Sequence, residues 1–599
     1  MVTNKYITKI ISALMVLAVI LCLVASAFSQ QLQAVYGNST VTMEYESKLF
    51  DTEQIMDIDI LMDEDDWNDM LENAISEEYY SCDVVVNGKT FYSVGIRPKG
   101  NTSLSSIAND PDTERYSFKL EFDHYIEGQT CYGLDKLILN NNYADATNMK
   151  EAIVYDMYQY LGVDASLYNY AKICVNGEYR GVYLALEAVE DSFMLRNYGT
   201  EDGNLYKPES MGVGGGDKEK AGEDSNDPSE NTADSDTAES EDAEKKIPQM
   251  GGPGEVPKMG NMPEGAELPG NGNMPEGAEL PGNGNMPEGA ELPGNGNMPE
   301  GVEFPDDRNF PGVNMGAIGG GGGADLNYTD DDLDSYSTIW EGEVTDSGKK
   351  DHKRVVEALK NISEGKELET CMDVDNILKY MAVHTFVVND DSLSGTMAHN
   401  YYLYEYNGKL NILPWDYNLS FGGMSMGGGM GGSSSGATSV INDAIDTPFS
   451  STNFFDALLE NEEYLELYHQ YLNELVEKYV NDGQFQKTYE RIRSQIDDLI
   501  ADDPTAFYSY EEYEDAAQML LEVVRLRAES VHGQLDGTIP STEDGQQADS
   551  SNLIDGSDIE LSVMGTMSGG GSNGNQMFFG NRQKMGNEAL QKAESDDVQ

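Results

Sequence analysis

Positive charge is scarce in this chain. Its 599 residues carry 37 Lys and Arg against 107 Asp and Glu, a formal net charge of -70. Such a surface repels phosphate backbones and anionic lipid, which argues against nucleic-acid binding and adhesion to acidic membranes. It favours partners that are basic or metal-loaded. Cysteine is sparse too. Beyond Cys22 there remain Cys82, Cys131, Cys174 and Cys371, too scattered for zinc-ligand spacing and best read as small buried hydrophobes. The six histidines are equally dispersed and form no His-x-x-x-His pair. Gly-x-x-x-x-Gly-Lys-Ser/Thr is absent, so the glycine runs are low-complexity sequence, not phosphate loops.

The leading segment is a targeting signal. Lys5 and Lys9 precede the apolar run Ile10 to Val24, and Ala25-Ser26-Ala27 has the small-x-small cleavage pattern. Export follows, to the extracellular space, cell surface or a coat. The run is nearly long enough to span a bilayer, so cleavage and retention as an anchor both fit. Membrane association is expected only with retention.

Globular sequence begins near Phe50. Ile55 to Met62 alternates as a strand, and Asp65 to Glu72 forms a short helix with Trp67, Met70 and Leu71 inward. Asn87-Gly88, Asn176-Gly177 and Asn407-Gly408 each sit between apolar runs and predict tight hairpins. Tyr116 to Phe122 and Lys136 to Asn140 are further strands. A helix begins at the capping residues Asp145-Ala146-Thr147-Asn148 and stops at Gly162, with Lys150 and Glu151 in its first turns.

Residues 211 to 325 are different material. An acidic Ser/Asp/Glu tract leads into a twelve-residue repeat marked by Met262, Met274, Met286 and Met298, with Pro and Gly in every copy. It lacks any apolar period and cannot offset chain entropy, so disorder is expected. Order resumes near Leu326. Val374 to Val388 is a strongly apolar helix, and a glycine/methionine loop runs from Gly422 to about Ser439. Helices are expected over Phe454 to Tyr479, Phe485 to Ile500 and Tyr510 to Leu535, with disorder beyond Gly537.

Chemistry-bearing residues divide between the halves. Arg97-Pro98-Lys99-Gly100 and Lys119 supply cations in the strand-rich half. Asn389-Asp390-Asp391 and Leu413-Pro414-Trp415-Asp416-Tyr417-Asn418 supply carboxylates in the helical half. Pro414 ends a strand and delivers Asp416 at its tip, two residues before Asn418. That pair suits a hard cation such as magnesium or manganese, or forms an Asx-type turn. Arg97 and Lys99 suit an anion such as phosphate, or belong to an ordinary polar turn. Cations on phosphates and carboxylates that hold metal and orient a hydroxyl together suit phosphoryl transfer.

Val94 to Ser103, Ser117-Phe118-Lys119, Val175-Asn176-Gly177-Glu178-Tyr179-Arg180-Gly181-Val182-Tyr183 with Glu187, and Leu413 to Asp416 occur in the order and spacing of the spore-coat CotH family, which the chain resembles over Phe50 to Lys207 and Asp373 to Gly423. The resemblance implies an α+β, divergent protein-kinase-like two-lobe fold with a long disordered insertion. The expected layout is a signal or anchor over 1–29, a nucleotide-binding half over 30–210, the insertion over 211–325, a catalytic half over 326–535 and a disordered tail over 536–599. It implies an exported, metal-dependent kinase that transfers the ATP γ-phosphate to Ser or Thr of coat or surface proteins. By position, Lys119 contacts the ATP phosphates with Glu151 in support. Arg97, Lys99 and Glu187 lie near the nucleotide. Asp391 or Asp390 orients the acceptor, and Asp416, Asn418 and Asn400 hold magnesium or manganese. The family's second motif Asp is here Asn418, which keeps a carbonyl ligand but loses a charge. A non-catalytic surface or coat interaction protein on the same fold is the competing reading.

Overall fold

The computed structural model describes residues 41–208, 323–395, 397–425, 435–447, 449, 451–565 and 567–568. The targeting segment and the methionine repeats lie outside these residues.

Seven strands form a closed barrel: β1 (Met56–Leu61), β2 (Tyr80–Val86), β3 (Lys89–Lys99), β4 (Ser117–Glu121), β5 (Lys136–Asn140), β6 (Tyr168–Val175) and β7 (Glu178–Glu187). Their order is β1-β2-β3-β4-β5-β7-β6, and β6 returns parallel to β1 to close the ring. Asn87-Gly88 and Asn176-Gly177 make the tight turns of the β2–β3 and β6–β7 hairpins. Both residues of each turn have positive φ, the geometry that Asn-Gly adopts most easily. Alternation along each strand then sorts the side chains. Ile96, Phe118, Leu120, Leu137 and Leu139 fill the barrel with Trp67 of helix α1 (Glu64–Glu72), whose ring lies 5.5 Å from that of Phe118. Ile138, Tyr168, Tyr170, Leu184 and Leu186 belong to a second core, shared with the helices.

Helix α2 (Lys150–Leu161) lies in that second core and ends at Gly162 in the left-handed conformation. Helix α3 (Asp191–Tyr198) and β8 (Asn204–Tyr206) complete the first half. The second half contains α4 (Lys349–Ser363), α5 (Val374–Val387), the hairpin β9 (Tyr401–Tyr406) and β10 (Lys409–Pro414), and helices α6 (Glu462–Glu474), α7 (Gln484–Ala501) and α8 (Tyr510–Leu535). β8 pairs with β9, giving a three-stranded sheet of order β10-β9-β8 that joins the halves. The whole is therefore mixed α+β, strand-rich first and helical second.

Arg527 of α8 is 1% exposed. Its guanidinium donates to the Thr385 and Phe386 carbonyls at the end of α5, and to those of Ile441 and Asp443. A cation here satisfies the carbonyls that a helix C-terminus leaves open. All four described cysteines are free, three of them buried.

Three expectations change. The helix expected to begin at Asp145 begins at Lys150; Asp145 caps it from a preceding turn by accepting the Lys150 and Thr147 amides. The helix expected over Phe454 to Tyr479 is broken into Asp456–Leu459, α6 and a π-helical turn, Leu475–Asn481. Disorder after Gly537 does not hold as far as residue 565. Helix Glu543–Ala548 forms, Met564 is buried, and its carbonyl accepts the Ala146 amide. Short strands β11 (Met424–Ser425) and β12 (Met567–Ser568) then pair in parallel. Hydrogen bonds to distant residues, among them those of the Asn442 side chain with Ile554, order this polar stretch, and they leave no apolar period in the sequence. No helix among the described residues is long and apolar enough to cross a membrane.

Candidate active site

The outer face of β3, β4 and β5 carries two neighbouring ionic groups. β3 and β4 pair Arg97 with Lys119 and Lys99 with Ser117, so all four side chains share this face. One rung further, Glu121 stands opposite Lys136.

The first group is charge-matched. Glu190 accepts from Lys119 at 2.8 Å and also pairs with Lys136. Burial alone would raise the Glu190 carboxyl, but Lys119 and Lys136 together outweigh it and hold it down at about 2. Arg97 pairs with Glu77 and lies 5.4 Å from the Tyr79 ring centre. The expected partnership of Lys119 with Glu151 is therefore not formed, because Lys119 stands one rung away and Glu190 occupies it. Glu187 is likewise engaged elsewhere. It is fully buried, accepts two bonds from Arg196 and one from Tyr45, and ties β7 to α3.

The second group is bridged by a neutral amide. Lys99 donates to Asn140 Oδ1 at 3.0 Å, and the Asn140 amide donates to Glu151 Oε2 at 2.9 Å. Asn140 thus bridges the strand cation and the α2 carboxylate. Burial lowers the Lys99 pKa, opposed first by the charge of Asp416. Burial, reinforced by the Asp416 charge, pushes the Glu151 carboxyl up to about 8. Its Oε1 is buried and has no hydrogen-bond partner among the described residues. The Lys99 ammonium lies 5.5 Å from the Trp415 ring centre, and Lys207 lies 5.9 Å from the same ring. Lys99, Glu151 and Asp416 come from three distant parts of the chain, and their charges act on one another.

Asp416 is delivered as the strand-ending proline predicts, with φ at +58°. Val388, Ala398, Asn400 and Phe421 are also left-handed, so unusual backbone gathers between the end of α5 and the loop after β10. Tyr417 anchors this loop. Its hydroxyl is hydrogen-bonded with Tyr158 of α2 at 2.6 Å and with His384 Nδ1 of α5 at 3.1 Å. Burial lowers the His384 pKa to about 3, so the imidazole is neutral. The Phe421 amide donates to the Val387 carbonyl and ties the far end of the loop to α5.

Asp391 forms a compact group of its own. One carboxylate oxygen lies 2.7 Å from His399 Nε2, and the other accepts from the Asn400 amide at 3.0 Å. Asp391 is buried, whereas Asp390 is exposed and stands outside this group. The β9–β10 register pairs Tyr401 with Pro414, which brings Asn400 to the hairpin end that carries Trp415 and Asp416. Sequence reading passed over His399, Asn140 and Lys207. Only an Asn at the end of a buried strand was visible for one of them.

Asn400 directs its amide nitrogen to Asp391, and Asn418 directs its own to the Tyr143 carbonyl at 2.8 Å. Both keep a carbonyl oxygen as the remaining ligand atom. With Asp416 and the unpartnered Glu151 Oε1, these are oxygen donors, the type magnesium and manganese select. Among the described residues no cluster of three or more His, Cys, Asp or Glu has metal-binding geometry. A magnesium site fits with few carboxylates, since that ion keeps several waters.

No curated protein matches the sequence. A family model described as CotH kinase protein matches residues 96–252 and 313–531, more than half of the chain. That span includes the second ionic group, the first apart from Glu77, the Asp391 group and the Asp416 loop. The chain belongs to the CotH kinase family.

Proposed function

We propose that the protein is an exported, metal-dependent kinase that transfers the ATP γ-phosphate to Ser or Thr of coat or surface proteins. The observation that carries this reading is the second group: a half-buried Lys99 bridged by Asn140 to Glu151 and under the charge of Asp416. A desolvated cation beside carboxylates and amide oxygens is prepared for phosphate oxygens and a divalent cation. In this reading Lys99, with Lys207 nearby, takes the phosphate-binding role expected of Lys119. Asp416, Asn418 and Asn400 hold the metal. A bound metal would neutralise charge on the transferred phosphoryl group.

Asp391 orients the acceptor hydroxyl and takes up its proton. His399 and Asn400 fix its carboxylate in one orientation. The bond from acceptor oxygen to phosphorus forms as the bond to the ADP leaving oxygen breaks. Tyr158, Tyr417 and His384 keep Asp416 in register with Glu151 while this occurs. Two lobes meeting at this site, the strand-rich half binding nucleotide and the helical half supplying carboxylates, complete the kinase-like reading.

The test is phosphate transfer. The purified exported chain is incubated with labelled ATP and manganese or magnesium, with a basic Ser-rich protein as acceptor. Asp416→Ala and Lys99→Met are run beside it. Metal-dependent label on wild type alone supports the reading. No label and no metal-dependent ATP binding would leave a non-catalytic interaction module, with Asn418 as the departure that explains it.

A further inference from the structure

The motif Val175 to Tyr183 contributes nothing to the site just described. It surrounds a different space. A cavity of about 310 Å³ opens at the barrel mouth between α1, the 110–115 loop and the 504–507 segment. Its walls include Trp67, Phe118, Ile173 and Tyr183, side chains of the barrel interior. None of Lys99, Asn140, Glu151 or Asp416 lines it. The volume is at the lower end for small-molecule sites, and a barrel mouth is a usual place for one.

Two arginines reach this cavity, and they differ. Arg115 is neutralised: it pairs with Asp503 at 2.7 Å and lies over the Tyr183 ring. Arg180 is not. Its guanidinium has no ion pair or hydrogen bond among the described residues, and its Nε is buried without a partner. Backbone geometry explains why it is there. The β6–β7 register runs Ile173 to Gly181 and Cys174 to Tyr179, so Arg180 is the extra residue of a β-bulge. Strand alternation would otherwise send it outward beside Val182. A bulge re-aims a side chain, and the unhindered Gly181, at φ +135°, permits this one. Gly181 is also where a Cβ would collide with the Arg115–Asp503 pair, so the motif builds both features at once.

We propose that the barrel mouth is a binding site for a small apolar monocarboxylate, with Arg180 receiving the carboxylate and Trp67, Phe118 and Tyr183 enclosing the apolar body. One unpaired cation against aromatic walls calls for one negative charge on an apolar frame. The exposed Asp112 and Glu114 at the rim, with the half-buried Asp110, disfavour multiply charged anions such as nucleotides. The site is independent of the kinase reading.

The test uses the full exported chain with 3-phenylpropionate as probe and its neutral amide as control, read by calorimetry and thermal shift. Saturable binding at one site is expected. The amide and the Arg180→Gln variant should each bind at least about tenfold more weakly, the scale of a lost charge-assisted bond. Thr113→Trp, which fills the cavity from its rim, should abolish binding with the melting curve retained. ATP should not compete, and Lys99→Met should bind the probe as wild type does. Equal binding of acid and amide, full affinity in Arg180→Gln, or no saturable binding at 10 mM probe (roughly ten times the weakest affinity worth calling specific) would each overturn the proposal.

Discussion

Lys119 and Lys99 stand on adjacent strands of one barrel face, one rung apart, yet they meet opposite electrostatic fates. Lys119 and Lys136 share Glu190, and Lys136 also pairs with Glu121, so two cations meet two carboxylates. Lys99 is half-buried and donates to the neutral Asn140 amide, with the charge of Asp416 acting both on it and on Glu151. Matched ions stiffen a fold. Mismatched ions cost stability, which a fold retains only where a ligand will later complete the set. In the proposed reading the Lys99 group is the working site and the Lys119 group its scaffold.

The largest effect that would break this contrast is on activity. Lys99→Met and Asp416→Ala should each lower phosphate transfer by about 10³-fold, as loss of a preorganised charge does. The melting temperature of Lys99→Met should hold or rise, because an apolar side chain of similar shape replaces a desolvated charge. An unaffected rate in Lys99→Met, with Lys119→Met inactive but folded, would reverse the assignment.

Next comes stability. Glu190→Gln leaves Lys119 and Lys136 without their shared carboxylate. Allowing for its partial exposure, it should lose about 2–3 kcal/mol in urea titration. Transfer per folded molecule should stay within a few-fold of wild type. A stable Glu190→Gln would mean that this group is not scaffold.

The two groups should also show opposite pH edges. Glu151 is raised from 4.5 to about 8, so its contribution is full below pH 4.5 and is lost as pH rises towards and through 8. Glu190 is lowered from 4.5 to about 2, so its contribution is full above pH 4.5 and is lost as pH falls through 2. Glu151→Gln should therefore flatten the alkaline side of the stability profile, and Glu190→Gln the acid side. Urea midpoints measured from pH 3 to pH 9 test both, and identical profiles in the two variants would contradict the contrast.

The smallest effect sharpens the metal reading. Asn418→Asp adds one charge to the oxygen donors, and manganese affinity should rise about three- to tenfold. The added repulsion should push Glu151 still higher. Unchanged affinity would place Asn418 outside the metal's ligands and leave it as the turn residue its hydrogen bond to Tyr143 also permits.

Much of the frame was readable in the chain. Asn87-Gly88, Asn176-Gly177 and Asn407-Gly408 announced their hairpins, because few other pairs tolerate two successive positive φ values. Gly162 marked the end of α2, and Pro414 marked the end of β10 with Asp416 beyond it. The choice between Lys99 and Lys119 was not readable. Both lie on the same strand face by periodicity, and only the position of Glu190, far along the chain, separates them. Glu187 looked like a site residue for the same reason, since its partners Arg196 and Tyr45 are set by packing. The tail to residue 565 was missed because isolated polar side chains distant in the chain hold it: Asn442 accepts the Ile554 amide and donates to its carbonyl, and Thr438 accepts the Gly556 amide.

Local sequence determined the turns, the strand faces, the end of α2 and the delivery of Asp416, all of which depend on φ preferences and side-chain alternation within a few residues. Tertiary structure alone decided barrel closure, the pairing of each buried charge and the bulge that turns Arg180 inward. Those depend on which groups, tens or hundreds of residues apart, come within a few ångströms in a medium too dry to screen them.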